Sequence, residues 1–128
     1  MKILIVVIIA TLLAQLIKFC HHYIITGKFR FQKFFETGGI PSSHSSAISA
    51  MSFAVYFEEG FSTLFFISLI IAVMVIRDSF GIRYAVGQNT KRLNELTHNI
   101  VNEISGHTPF QVSIGIILGL VISLIAYA

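Results

Sequence analysis

Long apolar runs broken by almost no charge constrain this chain more than any other feature. Ile3 to Ile25 is interrupted by Gln15, Lys18 and the His21–His22 pair, while Phe61 to Ile76 and Pro109 to Ala128 contain no acid, lysine, arginine or histidine. A helix needs about 20 such residues to cross a bilayer's hydrocarbon. A fourth run, His44 to Phe57, is shorter and opens with serines. Composition agrees: 55% of the 128 residues are hydrophobic, 12% are charged, and the mean hydropathy is +0.81. Soluble domains carry roughly a quarter charged residues, so this chain has too little polar surface to cover a soluble core. The expected fold class is all-α. It is an integral membrane helical bundle of about four transmembrane helices plus an amphipathic surface helix, in a single membrane-embedded domain spanning residues 1–128.

The start of the chain resembles a signal peptide, with Lys2 ahead of an apolar stretch, but no small-x-small cleavage site follows Ile17. A retained first span is therefore expected. Between the first two spans lie Lys28, Arg30 and Lys33 against one acid, Glu36; between the third and fourth lie Lys91 and Arg92 with Glu95 and Glu103. Basic loops mark the cytoplasmic side. Both long loops are expected in the cytoplasm, in a cytoplasmic membrane of bacterial type, with both termini opposite. The net charge of +3 and pI near 9.3 then suit a lipid surface better than nucleic acid. Leu93, Leu96, Ile100, Val101 and Ile104 recur at helical spacing within Gln88 to Ile104, which predicts a helix lying on the membrane surface. Gly115 and Gly119, four residues apart, permit close helix approach or serve as ordinary filler. Cys20 is the sole cysteine, so no intrachain disulfide forms, and a small buried hydrophobe is its plainest reading.

Chemistry concentrates where polar motifs feed apolar helices. Gly38-Gly39-Ile40-Pro41-Ser42-Ser43-His44 makes a turn into the second span. Free N–H groups and the helix dipole at such a start favour an anion such as phosphate. Ser42, Ser43 and Ser45 add hydroxyls, and His44 adds a group that exchanges protons near neutral pH. Gly106-His107-Thr108-Pro109 opens the fourth span at the same expected face. One imidazole can attack phosphorus while a second protonates the leaving oxygen. Lys18, Arg77 and Arg83, near the ends of the first and third spans, can offset phosphate charge. Snorkelling to lipid headgroups is the plainer role for Lys18 and Arg77.

Pro41-Ser42-Ser43-His44 resembles the Pro-Ser-Gly-His signature of the type 2 phosphatidic acid phosphatase superfamily, which also contains vanadium-dependent haloperoxidases. His107 to Val112, followed by Gly115, resembles that superfamily's last motif, His-x-x-x-Asp-Val with a glycine after it. Asp78-Ser79-Phe80-Gly81-Ile82-Arg83 and Gly106 to Pro109 make the chain similar to the divergent branch described as acid phosphatase/vanadium-dependent haloperoxidase-related. The resemblance implies a phosphoric ester or diphosphate hydrolase that works without metal or cofactor through a phosphohistidine. In it His107 would be the nucleophile and His44 the general acid. Lys18, Ser42 and Ser43 would hold phosphate oxygens, and Arg30 is a weaker match to a further arginine. Two positions depart from the pattern. Val101 stands where an arginine usually precedes the nucleophile, so Arg83 or Arg77 must supply that charge. Gln111 replaces the aspartate that orients the nucleophilic imidazole: its carbonyl can accept the ring N–H but cannot stabilise an imidazolium as a carboxylate does, so Gln111 and Glu103 are orienting candidates and Asp78 is the expected substitute.

The substrate implied is a phosphorylated membrane lipid at the cytoplasmic leaflet: phosphatidic acid, phosphatidylglycerophosphate or a polyprenyl diphosphate. A small chain completing its pocket with a second copy suggests a homodimer. Three rivals stand beside this reading. One is a metal site among His21, His22, His44, His98, His107 and Asp78, which lacks an HExxH or CxxC spacing. Another is haloperoxidase chemistry on vanadate. The third is a non-catalytic membrane scaffold or lipid-phosphate-binding protein of the same fold. No Walker A pattern is present, so ATP-driven work is not indicated.

Overall fold

The computed structural model describes residues 1–27, 39–97 and 106–128. Five helices follow in chain order: α1 (Lys2–Thr26), α2 (Ser43–Glu59), α3 (Thr63–Phe80), α4 (Ile82–Thr97) and α5 (Pro109–Tyr127). Local chemistry sets their ends. Ser42, Ser62 and Thr108 cap α2, α3 and α5, each accepting a backbone N–H with its hydroxyl. Pro109 sits at the first turn of α5, where its missing N–H costs nothing. Gly27 closes α1 in the left-handed region at φ 64°.

The centre of the bundle is α2, with α1, α3 and α5 packed around it. Its buried side chains are small: Ser43, Ser45, Ser46, Ser49, Ala50, Ser52 and Ala54 among them. Close backbone approach replaces bulk. A Cβ on Gly115 would lie 2.5 Å from the Ser42 carbonyl oxygen, and one on Gly119 would lie 2.5 Å from that of Ser46. The close-approach reading of the glycine pair therefore holds, with α2 as the partner. Hydroxyls stitch the seams: Ser46 donates to Ala10 O (3.3 Å), Ser52 to Ser68 O (3.1 Å) and Ser123 to Ala50 O (3.0 Å). Large apolar side chains such as Ile5, Leu12, Ile70, Val73 and Ile125 point outward. Small residues inside and large ones outside is how helices pack when lipid is the solvent.

At one end of the bundle the Lys2 ammonium lies 4.2 Å from the Tyr127 ring centroid, and Tyr127 donates a 2.6 Å hydrogen bond to Glu58. These contacts gather both chain ends and the α2–α3 turn. The opposite end collects the last turns of α1, the start of α2, the α3–α4 junction and the start of α5. The chain ends and the starts of α2 and α5 thus lie at opposite ends of the bundle.

Three expectations change. Among the described residues, only α1, the α3–α4 segment and α5 are long and apolar enough to cross a membrane. The expected second span, α2, has 17 residues and a serine-rich face, because it packs against protein more than lipid. The surface helix begins at Ile82, not Gln88: the chain turns at Gly81 and α4 follows at once, with no residue buried. Of its apolar set, Leu93 and Leu96 lie in α4, while Ile100, Val101 and Ile104 fall outside the described residues. So do Lys28, Arg30, Lys33, Glu36, His98 and Glu103. Cys20 is exposed rather than buried, since the buried stripe of α1 runs Val6, Ala10, Ala14, Lys18 at four-residue spacing.

Candidate active site

The first turn of α2 is organised by Ser42, which is fully buried. Its Oγ accepts from the Ser45 N–H (3.3 Å) and the Ser45 hydroxyl (2.9 Å), and its carbonyl accepts from the Ser46 N–H (3.0 Å). Its own N–H donates to Gln111 O (3.2 Å), tying this turn to α5. The N–H groups of Ser43 and His44 have no acceptor among the described residues, and they sit at the positive end of the helix dipole. Just before the turn, Gly39 adopts φ 92°, and a Cβ there would come 3.2 Å from Lys18 Cγ. Lys18 itself is only 5% exposed, so it points into the bundle rather than snorkelling to lipid.

His107 reaches the same end from α5. Gly106 lies so close to the backbone of Arg83 and Tyr84 that no side chain fits there. The His107 N–H donates to Ser79 O (3.1 Å), and its Nδ1 lies 3.3 Å from Ser79 Oγ. The residue is 4% exposed, and its Nε2 is buried with no hydrogen-bond partner among the described residues. Burial first, then the nearby charges of Lys18, His44 and Arg83, lowers its pKa from 6.5 to about 4. Its imidazole is therefore neutral at physiological pH. Lys18 and Arg83 bear on His44 as well, which is exposed at the second residue of α2. The two histidines thus share one end of the bundle and the same pair of cations.

Of the residues singled out from sequence, the structure brings together Lys18, Ser42, Ser43, His44, Arg83 and His107. Others have different employment. Asp78 forms a 2.6 Å ion pair with Arg83 Nε, both side chains partly exposed, and the hydroxyl at His107 Nδ1 is that of Ser79. The Gln111 side chain accepts from the Thr108 N–H (3.0 Å) in a capping box, so the glutamine that stands in the aspartate position serves the helix end, not the imidazole. Arg77 is exposed, two residues before inward-facing Ser79 and so on the far side of α3, and its charge is absent from those acting on either histidine. Ser79 was not foreseen. Its signal was spacing: with Ser68 and Ala72 it forms the small, buried stripe of α3.

Fold and composition define an all-α integral membrane protein. The chain belongs to the Divergent PAP2 family, whose model matches residues 1–122, and is thereby a phosphatase-related membrane protein. It is similar to the uncharacterized membrane protein YuiD of Bacillus subtilis (strain 168), with 32% identity over 138 aligned positions that cover 91% of this chain and 87% of the relative. No solved structure matches it.

Proposed function

We propose that this protein is a metal-independent lipid-phosphate phosphatase that hydrolyses a phosphomonoester or diphosphate of a membrane lipid through a phosphohistidine. The observation that carries the reading is the buried, unpartnered Nε2 of His107, beside Lys18, His44 and Arg83. A neutral imidazole in that position is a nucleophile without a competing hydrogen bond. Lys18, Arg83 and the N–H groups of Ser43 and His44, which have no acceptor among the described residues, supply positive charge and donors for the phosphoryl oxygens. Substrate binding frees Arg83 from Asp78 by offering it a phosphate in place of the carboxylate.

In the first step the Nε2 lone pair forms a bond to phosphorus as the bond from phosphorus to the lipid oxygen breaks. His44, protonated beside the bound phosphate, gives its proton to the departing oxygen. Water then attacks phosphorus, the N–P bond breaks with its electron pair returning to Nε2, and the water's proton goes to His44. The substrate is a lipid phosphate at the cytoplasmic leaflet, the side assigned to the basic loops.

Purified protein in detergent, kept in EDTA, is expected to release phosphate from phosphatidic acid, phosphatidylglycerophosphate or a polyprenyl diphosphate. His107→Ala is expected to reduce that rate to background. His44→Ala should lower kcat roughly 100-fold or more for a lipid alkoxide leaving group, and far less for p-nitrophenyl phosphate, which needs no general acid. A wild-type protein that turns over none of these lipids, while binding them, favours a second reading: a non-catalytic lipid-phosphate-binding protein. The observation on that side is that His107 Nδ1 meets a serine hydroxyl rather than a carboxylate.

A further inference from the structure

We infer that Ser79 is the positioning residue for His107, holding it as the Nδ1–H tautomer so that Nε2 is the nitrogen that takes the phosphoryl group; the catalytic half of this inference rests on the phosphatase reading above. A neutral imidazole has one N–H and one lone pair, and its surroundings decide which nitrogen carries which. At His107 the surroundings are unequal. Ser79 Oγ stands 3.3 Å from Nδ1, whereas Nε2 is enclosed with no partner among the described residues. Were the proton on Nε2, a buried N–H would have no acceptor, in a site already made positive by Lys18 and Arg83. With the proton on Nδ1, Ser79 accepts it and Nε2 keeps only a lone pair.

Ser79 grips the residue twice, since its carbonyl also accepts the His107 backbone N–H at 3.1 Å. Ser79 is 4% exposed on the inward face of α3, and the His107 ring is the partner of its hydroxyl among the described residues. Neither Asp78 nor Gln111 competes for the ring: Asp78 binds Arg83 and Gln111 closes the α5 cap. As the N–P bond forms, the ring gains positive charge and the Nδ1 proton becomes more acidic. A hydroxyl oxygen accepts that proton's hydrogen bond without removing it, so the phosphohistidine keeps a good leaving nitrogen for hydrolysis.

The test is nitrogen-15 NMR of histidine-labelled protein in detergent, at a pH above 6.5, with His107 assigned by its loss in His107→Gln. The expected wild-type spectrum has His107 protonated at Nδ1, and Ser79→Ala should move it to a mixture of tautomers. Ser68→Ala removes another buried serine of α3, away from the site, and should leave the His107 signals unchanged. In turnover, Ser79→Ala should lower kcat about three- to tenfold, the worth of one neutral hydrogen bond, with KM little changed. Ser79→Thr, which restores the hydroxyl, should recover the wild-type tautomer. A wild-type proton on Nε2, or a Ser79→Ala spectrum identical to wild type, overturns the inference. If no lipid phosphate is hydrolysed the phosphatase reading fails alone, because the tautomer measurement needs no turnover.

Discussion

His107 sits in an environment far from that of the free amino acid. Its pKa is lowered to about 4 in the fold against 6.5 unfolded, so between those values the unfolded chain binds the extra proton. Stability therefore falls as pH drops through that window and is fully present above it. Melting temperature in detergent, scanned from pH 7 to pH 4, should decline more steeply for wild type than for His107→Gln. The other histidines titrate in both proteins, so the difference between the two slopes isolates this ring. A low pKa also keeps His107 unprotonated at pH 5, so on the proposed phosphatase mechanism an acid limb in kcat/KM near neutrality would report another group. Much of the site was readable at this scale. Pro41 to His44 and Gly106 to Pro109 announce two histidines at two helix starts, and Lys18 follows Val6, Ala10 and Ala14 at intervals of four. Ser79 escaped notice because its spacing with Ser68 and Ala72 marks a buried stripe and says nothing of a histidine partner. Gln111 misled because its position in the motif suggested contact with the histidine, while its position three residues after Thr108 is that of a capping box.

Among the helices, the decisive packing is that of α5 on α2. Replacing Gly119 by alanine puts a methyl group where the Ser49 hydroxyl, the Ser46 carbonyl and the Ala50 N–H already lie. Two of these are backbone atoms, so the helices must separate. The expected cost is about 1–3 kcal/mol, seen as a lower melting temperature in detergent. Gly27→Ala is a useful contrast, since nothing lies within 4 Å of that position and only its φ of 64° opposes a side chain. Helix positions were largely legible from the apolar runs, because caps and glycines punctuate them. What hydropathy could not reveal was the rank of α2. Its serines read as a weak span, when they are what a helix needs to be surrounded by three others.

For the whole molecule, the arrangement of ends carries an orientation that can be measured. In a Cys20→Ser background, Glu59→Cys lies at the face of the termini and Asn89→Cys on α4 at the other. With the site facing the cytoplasm, a membrane-impermeant thiol reagent should label Glu59→Cys in intact cells. Asn89→Cys should be labelled only after the membrane is opened. The reverse pattern would put the histidines on the outer face.

The enclosure of α2 also bears on how the protein is made. A short segment lined with hydroxyls gains little by entering lipid alone, so its place is secured by α5, which emerges from the ribosome about fifty residues later. The same late helix delivers His107. Burial of the central helix and arrival of His107 beside Lys18 and Arg83 are therefore one event in biosynthesis, and a chain cut short before its last helix is unanchored at its centre and lacks both.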